Sequence, residues 1–136
     1  MQLSKNFKLS EFTHSKTAVK HNIDNTPSPS EVANLKILCE KLLQPLRDVY
    51  NKPMTISSGY RNEELNNLLP NSSKTSQHMR GQAADVAVPN PRLLLDILIA
   101  SGIKFDQAIL YPNFLHLSYN EGKNRMQKLP SKGMSL

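Results

Sequence analysis

Between Ser28 and Val49 the apolar residues Val32, Leu35, Leu38, Cys39, Leu42, Leu46 and Val49 recur every three or four positions, the spacing of one helix face. A helix with so long an apolar face must lay it on a second layer, so the pattern demands a layered fold around a core. Its start is written locally. Ser28, Pro29 and Glu31 match a capping box with proline in the first turn, where its missing N–H has no helical partner to lose. Pro45 lies inside the pattern and predicts a kink or the end of a first segment, because it removes a donor and crowds the preceding turn.

The second layer reads as strands. Residues 54–58 (MTISS), stopped by Gly59, and the small-residue run AADVAV from Ala83 have strand character. FDQAILY and FLHLSY predict a hairpin turning at Pro112 and Asn113. Shorter helices are expected in NFKLSEFTHS, capped by Ser10, in NEELNNLL after Arg61, and in RLLLDILIAS, opened by Asn90 and Pro91 and ended by a left-handed Gly102. HNIDNTPSPS is a polar connector, and residues 120–136 are expected to form a basic, partly mobile tail. At 136 residues the chain suits a single domain over 1–136 and is too short for two. The expected class is α+β, with helices packed on one small antiparallel sheet.

Seventeen Lys and Arg against eleven Asp and Glu leave a net charge of +6, which favours an anionic partner such as a cell wall. Nucleic acid is not expected, because no basic run is interleaved with stacking aromatics and there is no tryptophan. The lone Cys39 excludes an internal disulfide and a multi-cysteine zinc knuckle, and reads as a small core residue. No apolar run suits a secretory h-region or a membrane span, so the expectation is a soluble monomer without a signal peptide or membrane partner, made in the cytoplasm.

Within SQHMRGQAADV, His78 precedes a glycine turn and Asp85 stands on the strand after it, while His116 lies on the last strand between Leu115 and Leu117, which point to the other face. Two imidazoles and a carboxylate on one sheet face would suit zinc, leaving the fourth tetrahedral position to water, as catalytic sites do. Gly81, Ala83 and Ala84 would let the backbone come close. The plainer reading has the first histidine solvated in a loop and the second a satisfied strand residue.

SGYR, SQHMRGQAAD and HLSY stand in the order and approximate spacing of a known set: SGYR, then SxHxxGxAxD, then an HxS strand. In these stretches the chain resembles the zinc D-Ala-D-Ala carboxypeptidases, peptidoglycan peptidases related in fold to lysostaphin-type peptidases and the hedgehog domain. FKLSEFTHSKTA, the EVANLKILCEKLLQPLRDVY helix and the FDQ strand extend the resemblance to small bacterial and phage members. It implies Zn2+ held by His78, Asp85 and His116, and a peptidoglycan stem peptide as substrate. Arg61 is the implied substrate-holding arginine, and Ser76 the serine that fixes the substrate end or orders the turn; Gln82 is a spectator. It also suggests a phage-type lysis protein released to the wall by another factor.

The resemblance fails at one position. Where the family carries a catalytic acid, three residues before the last histidine, this chain has Asn113, whose amide cannot accept a proton. Three alternatives follow: a distant carboxylate, with Asp106, Glu63, Glu64 and Glu121 as candidates, reaches the metal-bound water; zinc and Arg61 suffice for slow turnover; or the protein is a catalytically silent, zinc-stabilised module that binds cell-wall peptides.

Overall fold

The structure is a computed structural model that describes residues 1–70 and 72–136. A two-stranded ribbon, β1 (Gln2–Ser4) and β2 (Phe7–Lys8), opens the chain and leads into α1 (Leu9–Thr13) and α2 (Lys16–Lys20). Ser10 is not the cap of α1: Lys8 occupies that position and donates its N–H to Glu11 (2.6 Å). The ribbon moves the helix start two residues upstream and takes Ser10 into the first turn.

The long helix starts as expected. Ser28 Oγ accepts from the Glu31 N–H at 3.4 Å, Glu31 accepts from the Ser28 N–H at 2.8 Å, and α3 covers Pro29–Leu38. Ahead of Pro45 the helix widens into a π turn, Cys39–Leu43, before continuing as α4 (Gln44–Tyr50). The wide turn takes up the proline without ending the helical path. It also adds a residue to the helical count, which shifts the phase of the buried face by about 100°. Val49, expected inside, is therefore 56% exposed, and Leu43 and Tyr50 are buried instead.

A five-stranded sheet follows in the order β3-β4-β6-β5-β7, comprising β3 (Thr55–Ser58), β4 (Ala83–Ala87), β5 (Gln107–Leu110), β6 (Phe114–Ser118) and β7 (Gln127–Pro130). Tyr111 donates its N–H to Phe114 O (3.1 Å), closing the expected turn at Pro112 and Asn113. The stretch expected to be partly mobile contributes β7, which pairs parallel to β5 and makes an otherwise antiparallel sheet mixed. Arg92 ties the chain end down through Ser135 O and Leu136 O (2.5 and 2.8 Å).

Each central strand alternates. Ala84, Val86, Ala108, Leu110, Leu115 and Leu117 are buried in the core with Leu35, Leu38 and Leu42 of the long helix. Leu94, Leu95 and Leu98 of α6 (Pro91–Ser101) close that layer, and Gly102 ends the helix at φ 76°. The mixed helix-and-sheet architecture is α+β. No described helix is long and apolar enough to cross a membrane. The sheet's other face carries Asp85, His116 and Ile109, one from each central strand, in register across the ladder.

Candidate metal centre

Two loops bring the remaining groups over that face. Ser76 caps a 3₁₀ turn, Gln77–Arg80, its Oγ accepting the His78 N–H at 3.2 Å. Gly81 then turns the chain at φ 73°, where an added Cβ would stand 2.6 Å from Glu31 O of α3, so only glycine fits. On the other side, β3 carries an irregularity between Ile56 and Ser58, opposite Asp85. Such bulges re-aim side chains near functional sites.

The result is a group of three: one ligand atom each from His78, Asp85 and His116 lies within 4.8 Å of the others. His116 Nδ1 is 2.9 Å and His78 Nε2 3.3 Å from Asp85 Oδ1. His78 Nδ1 is 2.6 Å from Gly59 O. A carbonyl only accepts, so Nδ1 carries the proton and Nε2 presents a bare lone pair. Asp85 Oδ1 also presents lone pairs, so their 3.3 Å approach is a contact between two acceptors and not a hydrogen bond. His78 Nε2 is thus a buried polar atom without a partner. Burial, above all, lowers the His78 pKa and keeps the ring neutral. At Asp85 burial acts upward, but the hydrogen bond from His116 Nδ1 outweighs it and holds the carboxyl below the usual carboxylate range. The bare lone pair of His78 Nε2 and the Asp85 carboxylate, with the His116 ring beside them, form a donor set suited to a cation. Ligands about 2.0–2.1 Å from a tetrahedral zinc stand roughly 3.3 Å apart, close to the His78–Asp85 spacing.

A cavity of about 760 Å³ opens above the group. Arg61 lines it, with Nη2 4.0 Å from Asp85 Oδ2 and Nη1 donating to Asn66 Oδ1 at 3.2 Å. Burial pulls the Arg61 pKa down, against Asp85 and Tyr111, which pull it up. Its Nε is buried and free of hydrogen bonds to described residues. Asn66, itself buried, braces the loop by donating to Ser73 O at 2.8 Å. Asn25 does the same for the SGYR segment, donating to Tyr60 O and accepting the Asn62 N–H, both at 2.9 Å. Both asparagines escaped the sequence reading because nothing local marks a buried amide.

Residues 5–118 match the family described as Peptidase M15. The chain belongs to the peptidase M15 family. No curated protein sequence matches it. As an M15 protein it is a member of a metallopeptidase family, and its His78, Asp85 and His116 form a group that could hold a metal ion. Ser76 lines the cavity as well as capping its turn, while Gln82 is not on the lining and accepts from Arg80 Nε at 3.1 Å.

The candidate acids fare differently. Asp106 is buried and fully engaged: it accepts from Arg125 Nε, Nη2 and N–H (2.8, 2.9 and 2.9 Å) and from Gln77 Nε2 (2.9 Å). Glu63 and Glu64 are exposed in the first turn of α5 (Glu63–Leu68), Glu121 is exposed in the tail, and none of the four lines the cavity. Asn113 is exposed at the hairpin turn and also off the lining. From that turn it is Tyr111, stacked on Phe114 with centroids 4.3 Å apart, that faces the cavity. Among the described residues, Asp85 is the only carboxylate on the lining.

Proposed function

We propose that this M15 protein is a zinc-dependent peptidase acting on peptidoglycan stem peptides, as a D-Ala-D-Ala carboxypeptidase or a related endopeptidase. The observation that carries the reading is the unpartnered His78 Nε2, aimed at Asp85 and His116 on the floor of a cavity large enough for a peptide. His78, Asp85 and His116 would hold the ion. Zinc, when bound, supplies Lewis acidity that polarises a carbonyl and lowers the pKa of water toward neutrality. Gly59 O fixes the His78 tautomer and so keeps a lone pair on Nε2. Arg61, permanently charged and braced by Asn66, would donate to the carbonyl oxygen of the scissile bond as negative charge develops there. Ser76 would orient the substrate end from the cavity wall. A +6 chain suits the anionic wall in which such peptides occur, and release there as a phage-type lysis protein fits the same reading.

The absence of a second carboxylate from the described lining favours the alternative, a silent zinc-stabilised module that binds wall peptides. General acid–base help is worth about 10²- to 10⁴-fold in rate, so the peptidase reading implies slow turnover. Zinc analysis, calorimetric binding and mass-spectrometric cleavage of a D-Ala-D-Ala-terminated peptide separate the two. We expect about one zinc per chain in the wild type, most of it lost in His116→Ala, and slow cleavage that His116→Ala abolishes. Binding without any cleavage at full zinc occupancy would establish the silent module. Full zinc retention in His116→Ala would overturn the ligand assignment.

A further inference from the structure

The cavity runs across the sheet, and its charge is one-sided. Arg61, Arg80 and Arg125 line it against the single carboxylate of Asp85. Arg61 follows β3 at one end of the strand order, and Arg125 precedes β7 at the other, with Asp85 and His116 on the strands between. Arg125 lies beyond the family match, which ends at residue 118.

Arg125 is a mounted group and not a loose surface charge. Its Nε and Nη2 form a fork on buried Asp106 (2.8 and 2.9 Å), whose second oxygen also takes Gln77, the residue before His78. That fork fixes the guanidinium plane and leaves Nη1 with no hydrogen bond to any described residue, on a side chain that is 54% exposed and borders the cavity. Gln107 and Ile109 of β5 continue the floor from His116 toward it, and Gln107 Nε2 is held by Gln127 of β7 at 2.8 Å. Arg125, just ahead of the tail strand, therefore stands on the far wall.

Resting on the peptidase reading above, we infer that Arg125 forms a second substrate subsite that takes a carboxylate of the peptide, from an acidic side chain or from the chain end. Arg125 borders the same cavity as Asp85 and His116, and the Asp106 carboxylate that holds it also takes Gln77, the neighbour of His78, so the proposed subsite and the metal group share one lining. A guanidinium whose plane is already fixed loses little entropy on accepting a planar anion.

The test uses the zinc-loaded full chain and three D-Ala-D-Ala-terminated peptides: one with a Glu side chain and a free C-terminus, one with Gln in place of that Glu, and one amidated at its C-terminus. Affinity by calorimetry and cleavage are both read. The wild type is expected to prefer the fully charged peptide over one of its neutralised partners by about tenfold or more, within the range of a charge-assisted hydrogen bond. Arg125→Gln is expected to remove that preference with zinc stoichiometry intact; which neutralised peptide shows the effect identifies the carboxylate. Arg125→Lys keeps an ion pair to Asp106, so it guards against loss of fold, and is expected to lose most of the preference. A preference unchanged in both variants, or absent from the wild type, overturns the subsite. Discrimination in binding without cleavage supports the subsite while overturning the peptidase reading, and a wild type that binds none of the peptides overturns both.

Discussion

Arg61 shows what a single side chain can be asked to do here. Its Nη2 stands 4.0 Å from Asp85, its Nη1 is held by Asn66, and its Nε is buried without a described partner. A buried donor left open is costly unless a ligand completes it. Arg61→Lys keeps the charge but loses the planar fork and the Nε donor. We expect it to weaken peptide binding or cleavage by about tenfold to a hundredfold, the range of a charge-assisted hydrogen bond, with zinc content unchanged. Peptide handling equal to wild type would reduce Arg61 to a counter-charge for Asp85.

At the scale of elements, the critical joint is where β3 ends against α1. An added Cβ at Gly59 would lie 2.6 Å from both Phe12 Cα and Phe12 O, which are backbone atoms that cannot rotate away. The Tyr60 N–H donates to Phe12 O at 2.6 Å, and Gly59 O holds His78 Nδ1, so the same joint packs the core and sets the tautomer of a candidate ligand. Gly59→Ala is expected to cost about 1–3 kcal/mol as overpacking. It should also weaken zinc binding by about 10- to 100-fold, as disturbed partners of metal ligands do. Urea unfolding and zinc competition against a chelator measure the two effects separately; a stability loss with unaltered zinc affinity would show that Gly59 serves packing alone.

For the whole molecule, Asp106 links three distant parts of the chain: the turn before His78, the hairpin strand β5 that it precedes, and the tail. Hydrogen bonds from Arg125, first among several causes, hold its carboxyl below the usual range. A carboxyl lowered on folding stabilises the protein above its unfolded pKa, about 3.9, and that contribution is lost as pH falls through the folded value. Asp106→Asn removes the charge and one acceptor, and is expected to cost about 2–3 kcal/mol near pH 7. Urea midpoints of both proteins across pH 3–7 should show the gap narrowing only below about pH 4. A gap that is constant with pH would mean that shape, and not charge, ties the tail to the site.

The helix start at Ser28, the left-handed stop at Gly102, the hairpin turn at Pro112 and Asn113, and the alternation of the central strands were all legible in the chain, because each rests on contacts within a few residues. So was the shared face of Asp85 and His116, since strand alternation fixes which residues lie together; His78 joins them from a turn, and its place there was implied only by the family resemblance. The phase of the long helix after Cys39 was not, because Pro45 announces a disturbance but not its form, and the π turn that absorbs it changes the count by a residue. Nor was the parallel pairing of Gln127–Pro130 with β5, which depends on a partner strand and not on the segment's own pattern. Asp106, read as a possible proton acceptor, is instead committed to Arg125 and Gln77, which lie 19 and 29 positions away. Where a carboxylate's lone pairs go is decided by which donors the packed sheet brings to it, and only the tertiary structure supplies those donors.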